Sequence, residues 1–201
     1  MSSRSVGSPP ERQINLPLKF TIICLILVTT SAYSNSVEDF DHDLFSYIHS
    51  DMQNKALDKT TPAIQRMGEP QVYFALCALL CAFGNDREFE TGKLAIVGFA
   101  ETGAIIYALK ETIRRPRPLN ESEKTSFPSG HSGFAFTLAT IISHDYPKLR
   151  IPLYLTALGT AFSRIYLGKH YPSDVFAGAF IGTLVGIQIT HYKNPILKIS
   201  F

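Results

Sequence analysis

Cysteine is scarce in this chain, with only Cys24, Cys77 and Cys81 in 201 residues. Cys77 and Cys81 lie four apart within VYFALCALLCAF, on one face of an apolar helix. No further ligands stand beside them, so they read as small buried hydrophobes rather than half of a zinc site. Excess charge is missing too. A net charge of +2, without a basic block interleaved with aromatics, argues against a nucleic-acid partner. Strand-like alternation between hairpin signals is absent, which leaves an all-α architecture. No cluster of carboxylates awaits a divalent metal, so no metal and no cofactor is expected. The apolar runs mostly fall short of the ~20 residues that cross a bilayer.

What is present is organised in runs. Hydrophobic residues make up 45% of the chain, and the mean hydropathy of +0.08 sits between a soluble domain and a polytopic membrane protein. The first residues, MSSRSVGSPPERQINLPLK, form a flexible basic tail, followed by FTIICLILVTT. Two readings of residues 1–34 compete. Ala32-Tyr33-Ser34 before Asn35 suits a secretory signal peptide, while Leu16 to Tyr33 suits a retained first transmembrane helix. Residues 35–201 form the remaining domain. Phe40, Leu44, Phe45, Ile48 and Met52 share a face at helical spacing, which predicts an amphipathic helix, and MGEP at Met67 to Pro70 breaks the chain. Further apolar segments follow at Val72–Phe83, Leu94–Leu109, Phe134–Ile142, Ile151–Leu167 and Val175–Thr190.

Gly, Ala and Thr recur within these segments and allow close helix approach. The expectation is a helical bundle of about six main helices. Glu101 interrupts one segment, and basic residues divide almost evenly between the two ends, so the positive-inside rule gives little direction. An integral membrane protein is favoured over an exported soluble bundle. Nothing in the sequence specifies an oligomeric state.

Three polar clusters stand where apolar segments end or begin. LKETIRRPRPLN closes the third segment; its prolines stop the helix and can aim Lys110 and Arg117 at one place, with Arg114 and Arg115 read as a solvated pair. SFPSGHSGFAF starts a helix near Gly130, whose free amides favour an anion, with Ser129 as cap and His131 on the first turn. SRIYLGKHYPSD places Ser163 and Arg164 at one helix end and His170 and Asp174 at the next helix start. Asp174, four residues after His170, is expected to accept one ring N–H and leave the other nitrogen free to act. In an up-and-down bundle these loops share one end, so a single anion site explains all three clusters.

A dianionic phosphate suits that site. Lys110, Arg117 and Arg164 supply cations, and Ser129 and the Gly130 amide add donors. Each fixed donor is worth ~3 kcal/mol in the transition state, by analogy with oxyanion holes. His170 then attacks phosphorus and forms a phosphohistidine, while His131 protonates the leaving oxygen and later activates water. The reaction expected is metal-independent phosphate ester hydrolysis.

At these residues the sequence resembles the type 2 phosphatidic acid phosphatases, or PAP2 family, of the acid phosphatase and vanadium-dependent haloperoxidase superfamily. The family pattern has three parts: K-x6-RP, PSGH and SR-x5-H-x3-D. Lys110 to Pro118, Pro128 to His131, and Ser163 to Asp174 match them at every fixed position. The resemblance implies that the His131 position is the acid and that His170 is the nucleophile, oriented by Asp174. It also implies, for membrane members, six crossings with the active site on the outer, periplasmic face. Phosphorylated lipids are the expected substrates, with membrane lipids as neighbours. An exported soluble member acting on small phosphate esters remains an alternative. So does a vanadium haloperoxidase, although those enzymes are usually much longer, and so does a non-catalytic lipid-binding bundle.

Overall fold

The computed structural model describes residues 35–198, which contain eight α-helices and no β-strand. The basic tail and the first apolar run lie outside the described residues. Helix α1 (Asn35–Ser46) runs into a π-helical turn, Tyr47–Asp51, and α2 spans Lys55–Met67. The five apolar segments become α3 (Pro70–Phe83), α4 (Asp86–Ile113), α5 (Gly130–Asp145), α6 (Arg150–Tyr166) and α7 (Pro172–His191). A short α8 (Lys193–Leu197) follows.

Each start has a local cause. Asn54 accepts the Ala56 and Leu57 amides at 3.1 and 3.0 Å and so caps α2. Proline occupies the first helical position of both α3 and α7, where a missing N–H costs nothing. Helix α2 is not separable in the sequence, because it carries no long apolar run and only Thr61 is buried.

The amphipathic stretch differs from its sequence reading in one respect. Phe45 and Ile48 pack on the core as expected, but Phe40 is 60% exposed and its neighbour Asp41 is 1% exposed. A carboxylate outranks a phenyl ring there because Asp41 finds a cation and a hydroxyl inside.

Helix α5 is the central element, packed against α3, α4, α6 and α7. Its contact with α7 is backbone against backbone. A Cβ added at Gly178 would overlap the Ser129 carbonyl, and one at Gly182 the Gly133 carbonyl. Buried hydroxyls are satisfied within the bundle, as where Thr102 and Thr137 meet at 2.8 Å.

The outer surface is apolar. Val72, Leu76, Leu79 and Phe83 line the free face of α3; Ile151, Leu155 and Leu158 line that of α6; Phe176, Phe180 and Ile187 line that of α7. The i, i+4, i+7 spacing makes these continuous stripes, more than a monomer in water normally exposes. Helices α4 and α7 are long and apolar enough to cross a membrane.

Candidate active site

The α4–α5 loop and the α6–α7 loop meet at one end of the bundle. The Ser129 amide donates to the Asp174 carbonyl at 2.8 Å, which joins the start of α5 to the start of α7. Arg115 reaches from the first loop to Ser173 and Asp174 at 2.7 and 2.8 Å, and Arg117 approaches the Lys169 carbonyl at 3.5 Å.

Ser129 caps α5. It is fully buried, and its Oγ accepts from the Ser132 hydroxyl at 3.1 Å and the Ser132 amide at 3.5 Å. Gly130 is the first residue of the helix, where the amide has no intrahelical acceptor. His131 follows on the first turn, half-buried, with Nε2 lying 3.1 Å from Glu69 Oε2. Nothing local in the sequence marks Glu69, which sits in the turn between α2 and α3.

Among the cations, Lys110 donates to the Thr125 carbonyl. Arg117 pairs through Nε with Glu123 at 2.9 Å and lies 3.3 Å from Thr125 Oγ1. Arg164 is 5% exposed, and its Nε has no hydrogen-bond partner among the described residues. Their charges reach both histidines: Arg164 and Arg117 act on His131, while Lys110 and Arg164 act on His170.

After α6 the chain reverses through Gly168, whose φ of 66° lies in the left-handed region that glycine occupies readily. That turn returns the His170 amide to the Arg164 carbonyl at 3.2 Å, so the two residues of this motif are folded onto each other. His170 is 2% exposed. Burial, aided by Lys110 and Arg164 and opposed by Asp174, pushes its imidazole down to about 4. It is therefore neutral at physiological pH.

The expected hydrogen bond between Asp174 and His170 is not formed. Nδ1 lies 3.7 Å from Asp174 Oδ2, a charge contact beyond hydrogen-bond length. The carboxylate is already occupied: Oδ2 accepts from Ser126 Oγ at 2.5 Å and the Tyr171 amide at 2.9 Å, and Oδ1 accepts from Arg115. Asp174 thus closes the first turn of α7 as well as facing His170.

Arg115 is the second departure from the sequence reading. It is not a solvated residue, for it bridges Asp174 and Asp41 at 2.8 Å each and lies 4.2 Å over the Tyr171 ring. Asp41 also accepts the Ser173 amide at 2.8 Å. Two buried carboxylates around one guanidinium make a compensated cluster. Arg114 does stay at the surface, paired with Glu111.

The fold and this end of the bundle define an all-helical, membrane-type domain whose two joined loops carry Arg115, Arg117 and His170. The chain belongs to the PAP2 superfamily, whose pattern matches residues 91–197. Among curated proteins it is 36% identical to a lipid A 1-phosphatase of Porphyromonas gingivalis over 50% of this chain, although it spans only 24% of that protein. It is 32% identical to a decaprenylphosphoryl-5-phosphoribose phosphatase of Mycobacterium tuberculosis, over 63% of this chain and 75% of the relative. Among solved structures, LpxE of Aquifex aeolicus superposes with a TM-score of 0.67 at 32% identity, over 75% of this chain and 94% of that one. A transmembrane PAP2-type phosphatidylglycerolphosphate phosphatase of Bacillus subtilis shares the fold, with a TM-score of 0.75 at 23% identity over 92% and 98% of the two chains. Phosphatase is the class that these named relatives share.

Proposed function

We propose that residues 35–201 form a lipid phosphatase domain that releases phosphate from a monoester or diphosphate through a phosphohistidine. The observation that carries this reading is the junction of the two loops. The Ser129–Asp174 bond joins the start of α5 to the start of α7, and the His170 amide bonds the Arg164 carbonyl, which supports one site shared by both loops.

The chemistry follows from the residues. Arg164, Lys110 and Arg117 neutralise the phosphate oxygens, with the Gly130 amide and Ser129 as neutral donors, and so supply the positive charge that a metal supplies elsewhere. His170 turns Nδ1 towards Asp174, which leaves Nε2 to attack phosphorus in line. As the phosphorus–oxygen bond to the leaving group breaks, His131 delivers a proton to that oxygen. The same imidazole then takes a proton from water, which attacks the phosphohistidine and frees inorganic phosphate.

The substrate class is a phosphate at the end of a lipid. The relatives are named for lipid A 1-phosphate, decaprenylphosphoryl-5-phosphoribose, undecaprenyl diphosphate and phosphatidylglycerophosphate. All pair a terminal phosphate with an apolar tail, and the exposed stripes of α3, α6 and α7 suit such a neighbour. A membrane setting, which the apolar stripes and the long apolar helices α4 and α7 support, is part of this proposal, as is an outer, periplasmic face for this end of the bundle, which the family resemblance implies.

The test is phosphate release by purified protein in detergent from undecaprenyl diphosphate and phosphatidylglycerophosphate, with acid-quenched trapping of labelled enzyme from a ³²P substrate. Turnover with an acid-labile label on wild type, both lost in His170→Ala, is expected. Turnover that survives His170→Ala overturns the phosphohistidine route.

A further inference from the structure

We propose that Glu69 is a positioning residue for the proton-transfer step: its carboxylate orients His131 and supplies the counter-charge that lets this imidazole carry a proton to the leaving oxygen. This rests on the acid role proposed for His131. Each of the two histidines then has its own carboxylate, Asp174 for His170 and Glu69 for His131.

The contact is built into the fold. Glu69 lies at the N-cap of α3, just before Pro70, and its carbonyl accepts the Val72 amide at 2.9 Å. The preceding Gly68 is pressed on Thr160 of α6, so a Cβ there would meet Thr160 Oγ1 at 2.6 Å. Thr160 is one helical turn before Arg164, which fixes the α2–α3 turn beside the phosphate-binding cation. Both carboxylate oxygens have partners: Oε1 accepts from Gln65 Nε2 at 3.4 Å, and Oε2 meets His131 Nε2 at 3.1 Å.

The electrostatic need is specific. The principal charges acting on His131 are Arg164 of α6, Arg117 of the α4–α5 loop and Glu69 of the α2–α3 turn. Burial first, and then both cations, oppose a protonated imidazole, and a general acid must hold its proton at working pH. Glu69 is the carboxylate that opposes them. Burial raises the Glu69 carboxyl, but the His131 bond and the nearby Arg164 outweigh it and hold the group below its ordinary range, so it stays ionised at neutral pH.

The test compares two esters that differ in how much the departing oxygen needs a proton: p-nitrophenyl phosphate, whose phenolate leaves unaided, and octyl phosphate, whose alkoxide does not. For Glu69→Gln in detergent, kcat on octyl phosphate is expected to fall ~10- to 100-fold, the scale of general-acid assistance. The loss on the aryl ester should be at least tenfold smaller. The basic limb of kcat for the alkyl ester should move to lower pH, and Glu69→Asp should recover part of the rate. Unchanged melting temperature separates this from a folding defect. Equal losses on both esters would make Glu69 merely structural, and faster turnover of both would make it a plug over the phosphate site; either result overturns the proposal while the phosphatase reading stands. Absence of phosphate release by wild type from both esters and from undecaprenyl diphosphate and phosphatidylglycerophosphate overturns that reading instead.

Discussion

The Ser129 amide lies 2.8 Å from the Asp174 carbonyl and donates to it, so the first turns of α5 and α7 are hydrogen-bonded to each other. Gly178 makes this possible, since any side chain there would enter the Ser129 carbonyl. Replacing a helical glycine by alanine ordinarily stabilises a helix by ~1 kcal/mol. Here the obstacle is backbone, which cannot rotate aside, and overpacking costs ~1–3 kcal/mol. Gly178→Ala is therefore expected to lower the melting temperature in detergent and to reduce kcat, whereas Gly103→Ala, whose Cβ would meet only Phe134 at 3.5 Å, should not lower it.

Arg115 is expected to matter as much as residues at the fixed motif positions. It holds two carboxylates, Asp41, which is 1% exposed, and Asp174, which is fully buried. Removing it leaves both uncompensated, a loss of ~3 kcal/mol for a buried pair. Arg115→Ala should lower both stability and kcat, and Arg115→Lys should not restore them, because an ammonium lacks the fork that spans two acceptors. Thermal unfolding and phosphate release read the two effects separately.

The acid side of the pH profile should be set by His170. The folded protein keeps this imidazole neutral down to about 4, whereas its ordinary value is 6.5. If His170 is the nucleophile, as proposed, it stays active in mild acid, and the acid limb of kcat/KM attributable to it is expected near pH 4. Between those two values the unfolded chain binds a proton that the folded one does not, so His170 makes stability fall as pH drops through this window and level off below it. In His170→Gln that part of the pH dependence of unfolding should vanish.

Arg164 has a buried Nε with no hydrogen-bond partner among the described residues, so an oxyanion gains a donor there without displacing an acceptor among them. Vanadate or inorganic phosphate is expected to inhibit competitively. Arg164→Ala should raise the inhibition constant at least tenfold, consistent with ~1.5–3 kcal/mol for a hydrogen bond to a charged group. Equal inhibition of wild type and variant would show that the anion binds elsewhere.

Chelation is expected to leave turnover unchanged, because the proposed mechanism takes the positive charge at the phosphate from Lys110, Arg117 and Arg164. A loss of phosphate release after dialysis against EDTA, restored by a divalent cation, would contradict that assignment.

Much of the fold was legible because apolar runs and helix punctuation are local. The segments at Val72–Phe83 and Val175–Thr190 lie inside α3 and α7, each begun by a proline. Residues at fixed motif spacing were legible for the same reason. Phe40 was misplaced because amphipathic spacing cannot register that Asp41 meets Arg115, 74 positions away. Glu69 and Ser126 were invisible as site residues, since their partners His131 and Asp174 are 62 and 48 positions distant.

By itself, then, the chain determined most of its helices, their breaks and the motif spacing that nominates the candidate phosphate-binding side chains, all matters of short-range pattern. That Glu69 lies beside His131, that Asp174 is shared with Ser126, Tyr171 and Arg115, and that Arg164 Nε has no partner among the described residues were decided only in three dimensions. The reason is that hydrogen bonds and charge compensation depend on distances across the bundle, and those are fixed by how closely α5 and α7 pack through Gly178 and Gly182.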